Sequence, residues 1–310
     1  MHATAIHIPQ IPTMFKQTQY ATLEDGLRLA YADSGQDSAP TLFLIHGIFD
    51  HKGTWRSLVK HLPDVRCVAP DLLGHGQSDR PSLAHLPPKQ RYSPNTQADY
   101  VAHLVERLGL ESIVLGGSSL GGGIALQLFL DYPAIRHRTQ AIILCAAAGY
   151  QQPLPGYIRE MGGWLGSLLK HPITQALSQK TGLLSRGAKR SVARCFYDAR
   201  AIPPTLVEET LSALKEPNTF RAYQLAARNI MPPNLDKLPV RLSEIDVPTL
   251  IFWGREDRII SPLSALRFSE DIPDTQLHLF DRCGHAPHIE CAHDVANYLN
   301  SFIKHTTTSD

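Results

Sequence analysis

The sequence predicts an α/β protein: a mostly parallel, doubly wound sheet with a helical cap inserted between two strands. Three observations favour this class. Short apolar runs rich in β-branched residues alternate with stretches whose apolar residues recur at helical spacing, before residue 149 and again after residue 242. Between those two points, helical stretches are separated by Gly and Pro, with no convincing strand. A glycine-rich turn also joins one predicted strand directly to a helix.

The first predicted elements form a hairpin over 19–31, because Asp25 and Gly26 separate two strand-like runs and Asp-Gly is a strong turn signal. Continuous apolar runs then predict strands that are buried on both faces. Stripes of apolar residues predict the helices between them. The strands are predicted at 41–45, 65–69, 112–116 and 140–145, and the helices at 55–62, 96–108 and 124–130.

In the inserted segment, apolar stripes predict helices at 158–169, 206–214 and 220–226. The α/β pattern then resumes, with strands at 248–253 and 276–280 and helices at 263–268 and 295–303. The expected domains are a core of 16–148 and 243–304, a cap of 149–242, an arm of 1–15 and a tail of 305–310.

The charge balance argues against a nucleic-acid partner. Against 30 Lys and Arg residues stand 29 Asp and Glu, for a net charge of +1, and no basic stripe is found. The histidines are scattered without metal-ligand spacing, so neither a metal nor another cofactor is expected. The five cysteines lack paired or C-x-x-C spacing, which is typical of reduced thiols, with one surface disulfide as the alternative.

The first nine residues lack the basic and apolar regions of a secretory signal. The longest apolar run, at 141–148, is too short to span a bilayer. We therefore expect a soluble, cytoplasmic protein without a membrane span. The pattern predicts no particular oligomeric state.

The strand-to-helix turn carries the first chemical signal. Gly117, Ser119 and Gly121 fit G-x-S-x-G, with the preceding strand and following helix that this motif requires. In such a sharp turn the serine takes a strained backbone conformation at a helix N-terminus, where the dipole favours a developing anion. Ser118 is the competing serine, but only Ser119 has glycines two positions away on both sides. A glycine-rich turn without chemistry is the alternative interpretation.

A serine nucleophile needs a base, and the base needs a carboxylate that orients it. Asp257 and His285 each follow a predicted strand after the inserted segment. Because the carboxyl ends of parallel strands share one edge of a sheet, both residues can converge on Ser119. Glu256 is the alternative acid, although the G-x-x-D spacing from Gly254 favours Asp257.

Five motifs carry a family resemblance. They are His46-Gly47-Ile48, Asp71-Leu72-Leu73-Gly74-His75-Gly76-Gln77-Ser78, the turn at Ser119, Gly254-Arg255-Glu256-Asp257, and Gly284-His285-Ala286-Pro287-His288-Ile289-Glu290. With them the chain resembles the α/β-hydrolase superfamily from about residue 19 to residue 303. Within this superfamily the chain is most similar to carboxylesterase-like serine hydrolases. These belong to the lid-bearing branch, which also contains haloalkane dehalogenases and epoxide hydrolases. The motifs are highly specific for the fold and the triad and weakly specific for the substrate.

The resemblance implies an oxyanion hole made by the backbone N–H groups of Ile48 and Leu120, with Phe49 as the alternative donor if the loop is offset by one residue. One such donor is typically worth about 3 kcal/mol in the transition state. Some relatives carry the catalytic acid after the strand that precedes the cap. Residues 145–148 contain no carboxylate, which again favours Asp257.

Other conspicuous side chains are predicted to be structural, through bonds to loop backbone or through burial near the site. They are His46, His75, Asp71, Asp79, His288 and Cys283, with a surface position as the alternative for His288. The candidate residues of the substrate pocket are Phe49, Met161 and Trp164. For Met161 and Trp164, the interior of the cap is the alternative position.

Within this family, serine at the turn indicates acyl transfer, because dehalogenases and epoxide hydrolases attack with aspartate. Proline iminopeptidases usually carry His-Gly-Gly-Pro-Gly where this chain has residues 46–50. Meta-cleavage-product hydrolases, which cut a carbon–carbon bond, typically have tryptophan where this chain has Ala286. We therefore expect a hydrolase of small-molecule carboxylic esters with an apolar portion, acting through an acyl-enzyme. Carbon–carbon or lactone hydrolysis with the same triad is the first alternative, and a non-hydrolytic ligand-binding protein of this fold is the second.

Overall fold

The computed structural model of the chain describes residues 17–36, 40–231 and 237–307. Its strands are β1 (Gln19–Thr22), β2 (Arg28–Asp33), β3 (Thr41–Ile45), β4 (Cys67–Pro70), β5 (Ile113–Ser118), β6 (Thr139–Cys145), β7 (Thr249–Gly254) and β8 (Thr275–Phe280). They form one sheet in the order β1-β2-β4-β3-β5-β6-β7-β8. β2 is antiparallel to both of its neighbours and all other pairs are parallel, so the predicted mostly parallel sheet is confirmed.

Helices flank this sheet and fill the segment between β6 and β7. They are α1 (Arg56–Val59), α2 (Pro94–Arg107), α3 (Leu120–Asp131), α4 (Pro133–Arg138), α5 (Gly156–Gly162), α6 (Trp164–Leu169), α7 (Pro172–Lys180), α8 (Leu183–Ala193), α9 (Pro204–Ala213), α10 (Thr219–Arg228), α11 (Leu238–Arg241), α12 (Leu263–Asp271), α13 (Pro287–Glu290) and α14 (Ala292–Thr307). Short 3₁₀ helices are Lys52–Trp55, Ala199–Ala201 and Leu242–Glu244.

Alternate residues of the central strands pack on opposite faces of the sheet. Phe43 and Ile45 of β3 belong to the core shared with α2 and α3. Leu42 and Leu44 belong to the core shared with α1 and α14. All four are fully buried, and burying such a side chain contributes roughly 1.5–3 kcal/mol. The sheet is therefore covered on both sides, as a doubly wound fold requires.

The register of the parallel strands decides where the connecting loops leave the sheet. Ile45 at the end of β3 pairs with Gly117 of β5. Gly254 at the end of β7 pairs with Phe280 at the end of β8. The segments that follow β3, β5, β7 and β8 therefore emerge along one edge, where ligands bind in open α/β sheets.

The segment between β6 and β7, called the helical insertion below, contains only helices and irregular chain in its described part. The single stripe predicted at 158–169 is divided into α5 and α6 by Gly163, whose φ of −99° and ψ of −126° leave the helical region. The sequence does not predict α7 and α8, since none of their residues is buried and no buried face marks them. Two alanines of α10 pack into the core beneath the insertion.

The end of the chain differs slightly from the prediction. α14 runs to Thr307, so the first residues of the predicted tail continue a helix. Residues 1–15, the predicted arm, lie outside the described part of the chain, as do 308–310. Among the described residues, no helix is long and apolar enough to cross a membrane. All five cysteines are free thiols.

Candidate active site

Ser119 lies in the sharp turn between β5 and α3 with a strained backbone. Its φ of 54° and ψ of −121° fall outside the regions that L-residues favour. Backbone hydrogen bonds to the neighbouring strand and helix hold it there. Its N–H donates to the carbonyl of Cys145 at 3.0 Å, and its own carbonyl accepts from Gly122 at 3.0 Å and Ala148 at 2.9 Å. The neighbouring strand and helix thus impose a conformation that the residue alone would avoid.

The two glycines that flank the turn, Gly117 and Gly121, lie too close to neighbouring backbone to be replaced by a larger residue. A Cβ at Gly121 would overlap the backbone carbonyl of Ile45, and a Cβ at Gly117 would overlap the carbonyl of Gly121. α3 can therefore begin directly against the end of β3. This close approach leaves the side chain of Ser119 at the N-terminus of the helix, as the motif predicts.

Asp257 and His285 lie together at the same edge of the sheet. The Nδ1 atom of His285 is 2.7 Å from Oδ2 of Asp257, and the two side chains are almost fully buried. The other oxygen of Asp257, Oδ1, accepts the N–H groups of Ile259 and Ile260 at 2.8 and 3.0 Å. Because a carboxylate oxygen only accepts, Nδ1 carries the ring proton and Nε2 keeps its lone pair. This arrangement suits a general base.

The alternative acid, Glu256, has a different partner. Its carboxylate accepts the N–H of Cys283 at 3.0 Å, and its own N–H donates to the carbonyl of Cys283 at 3.1 Å. Glu256 therefore joins the loops that carry Asp257 and His285 without reaching the imidazole. Cys283 is fully buried, as predicted.

Glu290, at the end of the last motif, joins the His285 loop to the helical insertion. Its carboxylate accepts the N–H of Gly284 at 2.7 Å on one oxygen and the N–H of Tyr197 at 2.7 Å on the other. The N–H of His285 also donates to the carbonyl of Cys195 at 2.6 Å. The insertion therefore takes part directly in positioning His285.

The loop after β3 passes beside the hydroxyl of Ser119. A Cβ at Gly47 would lie 3.2 Å from Cβ and 3.7 Å from Oγ of Ser119. Leu120 is the first residue of α3, so its N–H has no acceptor within the helix. For the N–H of Ile48, no acceptor is found in the described part of the chain. Two backbone donors predicted for an oxyanion thus lie on the segments next to the hydroxyl.

Buried polar residues hold this loop in place. Nε2 of His46 accepts the N–H of Leu72 at 2.9 Å, and Nδ1 of His75 lies 3.1 Å from the carbonyl of Leu73. Burial lowers the pKa of His46 to about 3 and that of His75 to about 4, so both rings are neutral at neutral pH. Asp79 accepts the N–H of Arg28 at 2.9 Å. The predicted structural roles of these side chains are confirmed.

Asp71 is the centre of the network and is paired with Lys52. Its carboxylate accepts backbone N–H groups from Lys52 at 2.7 Å and Gln77 at 2.8 Å. The Nζ of Lys52 lies 2.7 Å from Oδ2 of Asp71, with both side chains buried. Burial is the largest single influence and by itself would raise the pKa of Asp71, but Lys52, His46 and His51 together outweigh it, so the net shift is downward.

We expect Lys52→Met to lower the free energy of unfolding by about 3 kcal/mol at pH 7, because it leaves a buried carboxylate without its cation. A lowered carboxyl pKa stabilises the fold above the unfolded pKa of about 4 and loses that effect as pH falls. The difference between the two proteins should therefore shrink in acid. Urea unfolding at pH 7 and at about pH 2.5, below the unfolded pKa, measures both values. The exposed Lys60→Met is the control, with an expected change within about 0.5 kcal/mol; equal effects at both positions would contradict the assignment.

Two cavities, bounded by described residues, meet at Ser119 and Ile48. The larger cavity, of about 160 Å³, is mainly apolar and extends between α3 and residues of the insertion such as Leu154 and Ile158. The smaller cavity, of about 90 Å³, is the one that His285 also lines. The hydroxyl is therefore reached from two sides.

Of the three predicted pocket residues, only Phe49 lines one of these two cavities. Phe49 lines the smaller cavity and contacts the ring of Tyr223, at 4.8 Å between centroids. Met161 lies in the apolar cluster of the insertion and lines neither cavity. Trp164 is 66% exposed and lines neither cavity. Met161 therefore occupies its alternative position in the interior of the insertion, whereas Trp164, which follows the break at Gly163, lies at neither expected place.

Sequence reasoning missed other residues of the site. Asp50 and Tyr157 line the smaller cavity. His288 also lines it and is 2% exposed, in agreement with the predicted burial near the site and not with the surface alternative. Glu290 was noticed only as part of a motif. Asp50 directly follows Ile48 and Phe49, the predicted oxyanion donors, so its place in the sequence indicates that it lies near the site. No comparable pattern indicates this for Tyr157, because the apolar residues at the start of α5 are not periodic.

Comparisons with known proteins agree with this architecture. A family model described as the alpha/beta hydrolase fold matches residues 40–292. Lipase 1 of Psychrobacter immobilis is 25% identical over 285 residues, which cover 91% of this chain and 82% of the lipase. 2-Hydroxymuconate semialdehyde hydrolase of a Pseudomonas species is 28% identical over 290 residues, which cover 90% of this chain and 91% of that enzyme.

Among solved structures, 2-hydroxy-6-oxo-6-phenylhexa-2,4-dienoate hydrolase of a Rhodococcus species is similar with a TM-score of 0.74. The match covers 93% of this chain and 100% of that chain, at 21% sequence identity. At this level of identity the likeness concerns the fold alone.

Proposed function

Since this chain belongs to the α/β-hydrolase family, we propose that it is a serine hydrolase that cleaves carboxylic esters through an acyl-enzyme. The observation that carries the proposal is the contact of 2.7 Å between His285 and Asp257 at the edge where the strained Ser119 lies. Ser119 and His285 line one cavity, so a substrate there meets both. The similarity to a lipase supports the choice of an ester.

The reaction follows from the roles of these groups. Nε2 of His285 takes the proton of Ser119, and Oγ forms a bond to the ester carbonyl carbon. The carbonyl oxygen becomes an oxyanion, which the N–H groups of Ile48 and Leu120 stabilise. The ester C–O bond then breaks, and His285 gives its proton to the departing alcohol. Water gives a proton to His285 and attacks the acyl carbon; the bond from that carbon to Oγ then breaks, His285 returns the proton to Oγ, and the acid and free Ser119 are released.

We further propose that residues 149–242 act as a cap on a core of 16–148 and 243–304. The hydrogen bonds that join Cys195 and Tyr197 to the segment 284–290 support this division, because they connect the insertion to the loop that carries His285. The larger cavity has insertion residues on its wall. A cap in this position would both enclose the substrate and fix the base.

Carbon–carbon bond hydrolysis with the same triad is the second candidate. The similarity to 2-hydroxymuconate semialdehyde hydrolase favours it. Against it stands Ala286, a small side chain where such enzymes typically carry tryptophan. Lactone hydrolysis would use the same steps with the alcohol still attached to the acyl group.

A single assay series tests the proposal. We expect the folded protein to react with a fluorophosphonate probe on the peptide that contains Ser119. It should hydrolyse p-nitrophenyl esters of graded acyl length at least tenfold faster than vinylogous diketo acids. Absence of labelling on folded protein would contradict both hydrolase readings and favour a ligand-binding role. Faster turnover of the diketo acids would favour carbon–carbon hydrolysis.

A further inference from the structure

The two cavities differ in whether they contain the catalytic base. His285 lines the smaller cavity but not the larger one, whereas Ser119 and Ile48 line both. In ester cleavage the histidine must deliver a proton to the leaving oxygen, at hydrogen-bond distance. The alcohol part of the substrate therefore belongs in the smaller cavity. The acyl part is left with the larger, mainly apolar cavity.

The smaller cavity admits only a short alcohol. Its volume of about 90 Å³ compares with about 150 Å³ for an apolar protein cavity that binds one benzene molecule. A group of a few non-hydrogen atoms fills such a space. An alcohol of two or three carbon atoms is thus the natural occupant.

The wall of this cavity carries an acidic side chain that the proposed reaction does not use. Asp50 lines the cavity, and one of its oxygens accepts the N–H of His51 at 2.8 Å. Thr54 lines the same cavity. A carboxylate has about four acceptor positions, so capacity remains for a ligand.

Two buried side chains line the same cavity as Asp50. Oγ1 of Thr54 is 3.0 Å from Nε2 of His288, and both residues are 2% exposed. Burial lowers the pKa of His288 to about 3, so this ring is neutral. The Thr54–His288 pair therefore adds a fixed, uncharged polar surface to the wall that carries Asp50.

The helical insertion contributes a second polar group to the lining of this cavity. Tyr157 of α5 lines the cavity from the helical insertion, and within the described residues no hydrogen bond of its hydroxyl is found. The remaining wall near it is largely apolar, with Val192, Phe196 and Leu206. A ligand with one hydroxyl on a short carbon chain matches this mixture of surfaces.

We infer that the smaller cavity binds the alcohol part of the ester and that Asp50 accepts a hydrogen bond from a free hydroxyl on that alcohol. The preferred substrates are then monoesters of short polyols, such as ethanediol or glycerol. This inference rests on the proposed ester hydrolysis. Asp50 is a specificity-determining residue in this scheme and takes no part in bond cleavage.

A hydroxyl suits this wall better than a cationic group. Burial raises the pKa of Asp50, so its charged form is disfavoured there. An ammonium group would also have to lose its own hydration on entering the cavity. A hydroxyl donates to the carboxyl in either protonation state at a smaller cost of desolvation. The charged alcohol therefore serves as a contrasting substrate.

The test compares three butyrate esters that differ only in the alcohol: 2-hydroxyethyl, propyl and 2-(trimethylammonio)ethyl. Release of acid is followed by titration. We expect kcat/KM for the hydroxyethyl ester to exceed that for the propyl ester by about 10- to 100-fold, the range expected for a hydrogen bond to a charged or buried acceptor. The ratio should fall to about one in Asp50→Leu and be reduced in Asp50→Asn. A ratio within one protein is independent of a general loss of activity.

Leu154→Phe is the matched control, because Leu154 lines only the larger cavity. It should shift the preferred acyl length to shorter chains and leave the hydroxyethyl-to-propyl ratio unchanged. A wild-type ratio near one, a preference for the trimethylammonio ester, or an unchanged ratio in folded Asp50→Leu would each overturn the inference. If Ser119 is labelled and esters are cleaved without preference, this inference alone fails. If folded protein is neither labelled nor active on any ester, the proposed function fails and the inference fails with it.

Discussion

Ser119→Ala is expected to lower kcat for ester hydrolysis by roughly 10⁴-fold or more and to abolish fluorophosphonate labelling. The variant removes the only oxygen that can form the acyl-enzyme at this position, while the backbone donors at Ile48 and Leu120 remain. Residual hydrolysis above the rate in water would come from those donors and from substrate binding. The measurement is the steady-state rate on a p-nitrophenyl ester, together with mass spectrometry of the labelled peptide.

Ser118→Ala is the matched control for this experiment. Ser118 is the last residue of β5 and is 4% exposed. Labelling should persist in this variant, because the oxygen of Ser119 is unchanged. Full activity in Ser119→Ala, or labelling lost only in Ser118→Ala, would show that the nucleophile has been misassigned.

The second large effect is expected from Asp257→Asn, which should lower kcat by about 10³- to 10⁴-fold. Oδ1 of Asp257 already accepts two backbone N–H groups, from Ile259 and Ile260. Asparagine has one oxygen, which these two donors would hold. Its NH₂ group must then face Nδ1 of His285. The imidazole is forced into the tautomer protonated on Nε2 and can no longer accept the serine proton.

Glu256→Gln provides the comparison for Asp257→Asn. It alters the neighbouring acid, whose contact is with the N–H of Cys283 and not with His285. Less than about a tenfold change in kcat is expected, since the imidazole keeps its partner. Circular dichroism and labelling of the folded variants separate a catalytic defect from misfolding. A larger loss in Glu256→Gln than in Asp257→Asn would assign the acid to Glu256 instead.

The central strands could be predicted from the sequence because they are buried on both faces. All five residues of β3 and all six of β7 are buried, so each strand is a continuous apolar run. The predicted bounds differ from the observed ones by a few residues at most. The turn at Ser119 could be predicted for a related reason, since close packing of strand and helix requires glycine at two defined positions.

The helical insertion was harder to predict. The sequence predicts one helix where the structure has α5 and α6. The apolar residues keep helical spacing across Gly163, so the pattern does not indicate that the chain leaves the helical conformation there. α7 and α8 bury no residue, so burial left no periodic mark on them. Trp164 illustrates the consequence: an aromatic residue expected at the pocket or inside the cap is largely exposed.

Local signals in the chain therefore determined the class of fold, the serine turn and the order of the candidate triad. These features depend on backbone geometry and strand burial, and short segments of the sequence are enough to determine both. From the sequence, the pairing of Asp257 with His285 follows only from the expected topology. The tertiary structure supplies the distance of 2.7 Å between Oδ2 of Asp257 and Nδ1 of His285. Only the tertiary structure decided three other features. They are the division of the site into two cavities, the position of Asp50 in the smaller cavity, and the hydrogen bonds by which Glu290 joins the insertion to the His285 loop. They depend on how the insertion packs over the sheet edge, between residues more than 90 positions apart in the case of Tyr197 and Glu290, and no local pattern records such contacts.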